Sequence, residues 1–264
     1  MFMTYLSVFL MIFYIFLNTL FFLPFLYFLN EEKGVYLTSR VKKYYGKFVL
    51  WLVNAKVEVE YEDEGEFLNL KESKEPVVVV ANHQSFVDIP LILGYVDLNL
   101  GFVAKEEIRK WGIFNLWMDR AQCVFLDRSN SKKALDSFKK AIEFIKNGKS
   151  ICIFPEGTRT KDGNIGEFKK GSFKLALEPK VKILPVTIDG TFFIMNKNNF
   201  FVNRGKTVKL KISKTINLKE IERYRHVNIN DFVKKIISEN LKSVWHSFFI
   251  YIYFVKAIII EVIT

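Results

Sequence analysis

The chain has 264 residues, enough for one sizeable domain and too few for two ordinary domains plus a membrane anchor. Half of the residues are hydrophobic and a quarter are charged, and the apolar residues are concentrated at the two ends of the chain. The net charge of +11 suits nucleic acid, anionic lipid or an anionic substrate equally. Two cysteines and three histidines without Cys-x-x-Cys or His-Glu-x-x-His spacing predict neither a disulfide nor a metal site.

The N-terminal stretch is the first element predicted along the chain. Residues 1–30 contain no charged side chain and exceed the ~20 apolar residues that cross a ~30 Å hydrocarbon layer. A secretory signal is the competing interpretation, but no basic segment precedes the stretch and no small-x-small cleavage site follows it. Pro24 interrupts it, which predicts either one kinked span or a shallow helix that leaves the membrane on the side it entered. We therefore expect membrane-anchoring helices over residues 1–54, as one helix or a helical hairpin.

Basic residues follow directly after this stretch and outnumber Glu31 and Glu32; they are Lys33, Arg40, Lys42, Lys43 and Lys47. An excess of Lys and Arg beside a membrane segment predicts that the next domain lies on the cytoplasmic side, and the same side chains suit anionic headgroups. Residues 48–53, with Trp51, are too short to cross a bilayer and are predicted to be a second membrane-contacting element.

Residues 55–243 alternate short β-rich runs with helical patterns, which predicts one α/β domain. The runs at 57–61, 77–81, 100–104, 123–126, 150–154, 183–188 and 208–212 are typical of strands. Continuous apolar runs such as 77–80 favour a mostly parallel central sheet that helices cover on both faces. The clearest helix is 131–146, where apolar residues recur at helical spacing and Gly148 supplies a stop.

The last segment, residues 244–264, is apolar and aromatic but carries His246, Lys256 and Glu261. Charged groups are costly at the centre of a bilayer, so a helix in the plane of the membrane is favoured over a span. A final helix that packs on the domain is the open alternative.

A histidine and an aspartate follow the predicted strand 77–81. Residues five apart on a regular helix point ~140° away from each other, so His83 and Asp88 can meet only across a turn. Asp is a preferred helix N-cap and Pro90 favours a first helical turn, which places the start of a helix near Asp88 and leaves His83 on the loop before it. A carboxylate that accepts one imidazole N–H leaves the other ring nitrogen for a substrate, as in a general base. An N-cap and a loop histidine without chemistry are the alternatives.

Further polar clusters follow other predicted strands. After 150–154 come Glu156, Gly157, Thr158 and Arg159, a combination suited to an anionic headgroup, although it is also an ordinary turn. The run 124–128 ends in an Asp-Arg pair that is also consistent with a surface ion pair.

In the same order, residues 82–88, 124–128, 154–159 and 183–188 resemble the four motifs of the glycerophospholipid acyltransferase family, most closely its bacterial 1-acyl-sn-glycerol-3-phosphate acyltransferases. The resemblance covers residues 35–215, and the first and third motifs are its most specific part. It implies that His83 and Asp88 are catalytic, and that the acceptor phosphate is bound by residues of the later motifs, namely Arg128, Glu156, Gly157, Thr158 and Arg159. Lys105 matches a lysine often found in the family and is carried as a substrate contact.

The expected reaction is the transfer of a fatty acyl group from a thioester to the sn-2 hydroxyl of 1-acyl-sn-glycerol-3-phosphate, which gives phosphatidate. The donor is acyl carrier protein or coenzyme A, and no other cofactor and no nucleic acid partner is expected. Another lysophospholipid or an aminolipid is the alternative acceptor. Lipid hydrolysis and a non-enzymatic basic membrane protein are the rival classes. The expected location is the cytoplasmic face of a bacterial inner membrane.

Overall fold

The computed structural model describes residues 2–26, 28–110, 112–127, 129–198, 201–218 and 228–241. Eight α-helices are named in chain order: α1 (Phe2–Phe21), α2 (Leu23–Leu26), α3 (Glu31–Leu52), α4 (Glu64–Ser73), α5 (Asp88–Tyr95), α6 (Ile113–Arg120), α7 (Ser131–Lys146) and α8 (Lys174–Leu177). Short 3-10 helices occupy Glu106–Lys110, Lys170–Phe173 and Thr191–Phe193, and residues 229–241 are also helical. The predicted helix 131–146 is therefore present, with Asn130 capping its first turn through the backbone N–H of Lys133.

The described strands form one sheet of seven, made of β1 (Lys56–Tyr61), β2 (Val77–Ala81), β3 (Leu100–Lys105), β4 (Val124–Leu126), β5 (Ser150–Ile153), β6 (Lys182–Asp189) and β7 (Thr207–Ile212). Their order across the sheet is β1-β7-β6-β2-β5-β3-β4. All neighbouring pairs are parallel except β6 and β7, which are antiparallel. The predicted α/β class with a mostly parallel central sheet is thus confirmed, and the predicted strands are present with ends shifted by one residue at most.

Strand β2 lies at the centre of the sheet, and all five of its residues are buried. Alternate side chains of β2 enter two separate apolar clusters: Val77 and Val79 pack with α5 and β7, whereas Val78 and Val80 pack with α7 and the helix at 229–241. Burial on both faces explains why the run contains no polar position. It also fixes the carboxyl end of β2 in the middle of one sheet edge.

The N-terminal helices form a hairpin, which is one of the two arrangements predicted for residues 1–54. Helix α1 ends at Phe21, Pro24 lies in the short α2, and α3 runs back so that Tyr14 stacks on Phe48 at a centroid distance of 4.7 Å. Residues 4–21 are long and apolar enough to cross a membrane. Residues 48–53 are the end of α3 and the turn after it, where Leu50 is buried in the core and Trp51 is 71% exposed.

Two glycines allow α3 to pack closely against α5. A Cβ atom on Gly46 would lie 2.3 Å from the carbonyl oxygen of Pro90 and 2.5 Å from the amide nitrogen of Gly94. A side chain at this crossing would force the helices apart. The N-terminal hairpin is therefore in direct contact with the helix that begins at Asp88.

Two predictions fall on residues outside the described ranges: the helix at 244–264 and the side chain of Arg128. The division into segments 1–54, 55–243 and 244–264 stays a prediction.

Candidate active site

Four parallel strands deliver the predicted site residues to one edge of the sheet. The chain leaves β2 just before His83, leaves β5 just before Glu156, and ends β3 with the exposed Lys105. Because parallel strands carry their carboxyl ends at the same edge, these residues of distant sequence converge there. Arg128, which follows β4, belongs to the same edge by sequence but lies outside the described residues.

The end of β2 is fixed by a side chain that imitates strand pairing. The amide of Asn82 donates to the carbonyl oxygen of Ile188 at 2.8 Å, and its oxygen accepts from the backbone N–H of Ile188 at the same distance. This pair locks the first residue after β2 onto β6. The turn that follows can then carry His83 over the sheet edge without loosening the strand.

His83 and Asp88 are in direct contact. The Nδ1 atom of His83 lies 2.7 Å from Oδ2 of Asp88; the imidazole is 16% exposed and the carboxylate is fully buried. A carboxylate oxygen only accepts hydrogen bonds, so Nδ1 carries the proton in the neutral ring and Nε2 presents a lone pair. The ring also stacks on Phe154, with centroids 4.1 Å apart and planes inclined by 17°.

Asp88 is the first residue of α5 but does not cap it in the way the sequence suggests. An N-cap side chain accepts from residues that follow it, whereas Oδ2 of Asp88 accepts from the preceding backbone N–H groups of Gln84 and Ser85, at 2.6 and 2.7 Å. Oδ1 accepts from the hydroxyl of Thr191 at 2.5 Å. These donors stabilise an ionised carboxylate away from water. The helix begins at Asp88, as predicted, but the N-cap position is Val87, so the alternative in which Asp88 serves only as an N-cap is wrong.

Glu156 joins two turns: its own, at residues 154–159 (the third-motif turn), and the turn after β2 that carries His83. Its two carboxylate oxygens accept from the backbone N–H groups of His83, at 2.7 Å, and Gly166, at 2.8 Å. A further backbone bond runs from the N–H of Thr160 to the carbonyl oxygen of His83 at 2.9 Å. Burial raises the pKa of Glu156, and the two backbone donors act in the opposite direction.

Three cationic side chains lie at the rest of the third-motif turn, namely those of Arg159, Lys169 and Lys197. The guanidinium of Arg159 stacks over the ring of Phe86 with its Cζ atom 3.3 Å from the centroid, while its Nη1 atom is buried without a hydrogen-bond partner. Burial lowers the pKa of Arg159. Gly157 has φ near +70°, and a Cβ atom there would lie 2.7 Å from Nζ of Lys169. Lys197 donates to the hydroxyl of Thr158 at 3.2 Å.

Several of these contacts could not be predicted from the sequence. Thr191 and Lys197 follow β6 and lie outside the four motifs, and only the strand order brings them to Asp88 and Thr158. Phe154 lies in the third motif, but its stacking on His83 has no signature in the sequence. Within the described ranges no three His, Cys, Asp or Glu side chains are grouped to hold a metal ion. Cys152 is buried in β5, where burial holds the pKa of its thiol well above the usual value, so it is not a poised nucleophile.

Comparison with known proteins identifies the family and supports the fold. The family model described as Acyltransferase matches residues 58–189. The 1-acyl-sn-glycerol-3-phosphate acyltransferase of Borreliella burgdorferi is 30% identical over 204 residues, 75% of this chain and 76% of the relative. The chloroplastic enzyme LPAT1 of Arabidopsis thaliana is 38% identical over 152 residues, and the match spans only 41% of its length. The crystal structure of the 1-acyl-sn-glycerophosphate acyltransferase PlsC from Thermotoga maritima has a TM-score of 0.73 at 29% identity, covering 91% of this chain and 97% of that one.

Proposed function

We propose a function for this chain from the premise that it belongs to the acyltransferase family. The chain transfers a fatty acyl group from a thioester to the sn-2 hydroxyl of 1-acyl-sn-glycerol-3-phosphate and so makes phosphatidate. The observation that carries the proposal is the 2.7 Å contact between His83 and the buried Asp88 at an open sheet edge. The relatives named for this reaction, from Borreliella burgdorferi and Arabidopsis thaliana, support the same acceptor.

His83 acts as a general base in direct transfer. An alcohol is a weak nucleophile at neutral pH, and imidazole has an ordinary pKa of ~6.5, so it can take the hydroxyl proton as the bond forms. Nε2 takes the proton while the sn-2 oxygen attacks the thioester carbonyl; the C–S bond then breaks and the leaving thiolate takes the proton from the imidazolium. Asp88 holds the tautomer and stabilises the transient positive charge. The reaction needs no cofactor besides the thioester co-substrate.

The acceptor phosphate binds beside Arg159. Its Nη1 atom is a buried donor without a partner, and such a donor gains most from an anionic ligand. Two further cations lie at the same turn: the missing side chain of Gly157 leaves room for Nζ of Lys169, and Lys197 donates to the Thr158 hydroxyl. Glu156 positions the turn rather than contacting phosphate, because backbone N–H groups occupy both of its oxygens. Lys105 and Arg128 stay predicted substrate contacts.

Helix α1 anchors the domain in one leaflet and follows the domain surface. The hydroxyl of Thr4 accepts from the N–H of Val202 at 3.2 Å, and the hydroxyl of Thr19 accepts from the indole N–H of Trp117 at 2.7 Å. At ~1.5 Å per residue, these two contacts hold about 22 Å of the helix against the domain, which favours an in-plane helix over one that stands across the bilayer. Acyl thioesters are made in the cytoplasm, so we place the site on the cytoplasmic face of a bacterial inner membrane.

The test uses the purified full chain in lipid vesicles that contain lysophosphatidate, with labelled acyl carrier protein and coenzyme A thioesters supplied separately. We expect labelled phosphatidate with at least one donor and no product from His83→Ala. Lysophosphatidylethanolamine in competition identifies the alternative acceptor, and free fatty acid without acceptor identifies hydrolysis. Turnover by His83→Ala close to that of the unmodified chain would refute the general-base mechanism.

Arg159→Lys provides a separate test of the phosphate site. The lysine keeps the charge but loses the planar fork that binds phosphate through two hydrogen bonds. We expect a higher KM for lysophosphatidate with little change in the KM of the donor. An unchanged acceptor KM would make Arg159 a structural residue.

A further inference from the structure

We infer that Thr191 is a positioning residue for the His83–Asp88 pair, and that Gln84 in turn orients the Thr191 hydroxyl. Together these side chains form a buried chain of hydrogen bonds that ends at the imidazole. The inference rests on the proposed function, since it concerns how the general base is held.

The two oxygens of Asp88 have different surroundings. Oδ2 accepts three hydrogen bonds, from the His83 ring and from the backbone N–H groups of Gln84 and Ser85. For Oδ1, the Thr191 hydroxyl at 2.5 Å is the partner among the described side chains. Without it, the carboxylate would keep one buried oxygen unsatisfied, and only the three donors to Oδ2 would oppose rotation about the Cβ–Cγ bond. Thr191 therefore keeps Oδ2 facing His83.

The backbone places the Thr191 hydroxyl by a tight turn after β6. Gly190 has φ near +90°, and a Cβ atom there would lie 2.4 Å from the carbonyl oxygen of Thr207 on β7. The turn is thus pressed against the neighbouring strand and leads directly into a 3-10 helix that begins at Thr191. The side chain of Thr191 is fully buried.

Counting protons gives the direction of each hydrogen bond. The Thr191 hydroxyl has one proton, and the ionised Asp88 can only accept, so that proton points to Oδ1. The Thr191 hydroxyl oxygen also lies 3.2 Å from Oε1 of Gln84. Since the only hydroxyl proton points to Asp88, these two oxygens would be two acceptors facing each other in a buried site, which is unfavourable. Amide orientation is assigned from the hydrogen-bond network, and here the network requires that the Gln84 amide donates through its nitrogen. In this series of hydrogen bonds, Gln84 donates to the Thr191 hydroxyl, Thr191 donates to Oδ1 of Asp88, and the His83 ring donates to Oδ2 of Asp88.

Loss of the Thr191 hydroxyl would change the charge that His83 experiences. Donation from Thr191 draws part of the negative charge of Asp88 away from the imidazole, so loss of the hydroxyl should leave more negative charge facing the ring and stabilise the imidazolium that forms during the reaction. The other titratable groups that face the pair are Glu156 and Arg159 on the third-motif turn and Cys152 on β5. These three groups stay in place when Thr191 is changed, so a change in the pH profile of kcat/KM reports on the loss of the hydroxyl.

The experiment compares Thr191→Val, which keeps the shape and removes the hydroxyl, with Thr191→Ser, which restores it. For the full chain in lysophosphatidate vesicles, we expect Thr191→Val to lower kcat by about tenfold or more and to leave the acceptor KM unchanged. The acid limb of its kcat/KM profile should move to higher pH, and Thr191→Ser should restore both properties.

The matched control is Thr187→Val, four residues earlier in the sequence. It removes a buried hydroxyl that lies 3.2 Å from Asn240 and makes no contact with the His83–Asp88 pair. The kcat of this control should not change.

Gln84→Met tests the outer part of the chain. It should lower kcat less than Thr191→Val does and should add nothing when both changes are combined. A Thr191→Val protein that unfolds at the same temperature as Thr187→Val but keeps the wild-type kcat and pH profile would overturn the inference. So would failure of Thr191→Ser to restore a lost activity. His83→Ala is measured in parallel: if it remains active, the proposed mechanism itself fails, whatever Thr191→Val does.

Discussion

The crossing of α3 and α5 offers a sharp test of how the N-terminal hairpin supports the domain. In the Gly46→Ala variant, the new Cβ atom would lie 2.3 Å from the carbonyl oxygen of Pro90 and 2.8 Å from Cα of Gly94. Heavy atoms that touch without strain are about 3.5 Å apart, so the helices would have to separate by about 1 Å. Both neighbours are backbone atoms, and no flexible side chain can move aside. Gly34, in the first turn of the same helix, has nothing within 4 Å of its Cβ position and is the matched control.

The magnitude follows from two opposing terms. Ala is favoured over Gly inside a helix by about 0.5–1 kcal/mol, and this gain applies to both variants. Overpacking against a rigid backbone costs about 1–3 kcal/mol, and the double clash at Gly46 places it near the upper value. We therefore expect Gly46→Ala to lower the free energy of unfolding by about 2 kcal/mol. Gly34→Ala should raise it by up to about 1 kcal/mol.

The assay is thermal unfolding of both variants in the same detergent, followed by circular dichroism. For a domain of this size, 1 kcal/mol corresponds to about 2–4 °C, so Gly46→Ala should unfold roughly 4–8 °C lower and Gly34→Ala slightly higher than the unmodified chain. Turnover should fall more in Gly46→Ala because α5 begins with Asp88. If both alanine variants unfold at or above the original temperature, the tight contact between α3 and α5 is not present in solution.

Further predictions concern charged groups and their neighbours. Burial lowers the pKa of Lys42 to about 8 from its ordinary 10.5, so between these pH values the unfolded chain binds more protons than the folded chain. The free energy of unfolding should therefore rise between pH 8 and 10.5. Denaturant titrations of Lys42→Met should not show this rise. Glu156→Gln places an amide nitrogen against one of two backbone donors and should cost about 1–3 kcal/mol of stability together with activity, measured by unfolding and by kcat. Phe86→Ala removes the ring on which Arg159 stacks, and the KM for the acceptor should increase by a factor between about two and thirty. Phe86→Tyr keeps an aromatic ring there and should leave this KM unchanged.

Much of the fold could be predicted because the dominant signals are local. The apolar run at 77–80 is buried on both faces, and the helix at 131–146 has its apolar residues on one side. Such periodic patterns identify the elements and their class. They carry no information on strand order, and the antiparallel pairing of β6 with β7 in an otherwise mostly parallel sheet has no local signature.

The site was predictable only in part for the same reason. His83 and Asp88 are close in sequence, so the turn between them could be reasoned from helix geometry and capping. The role of Glu156 was less accessible, because its carboxylate meets backbone N–H groups and not a ligand. Thr191 lies 103 positions after Asp88, and a threonine that follows a glycine is too common to be noticed.

The position of Asp88 shows why this sheet order suits the proposed chemistry. Its carboxylate is held by the turn after β2, by α5, to which it belongs, and by the turn after β6. The loop after β5 holds the His83 backbone from the other side through Glu156. Strands β6, β2 and β5 are adjacent in the sheet, so three turns that are far apart in sequence brace one imidazole from different directions. A base that must keep its orientation while a mobile lipid acceptor approaches from the membrane needs such bracing, since a small misplacement of a reacting group reduces the rate steeply.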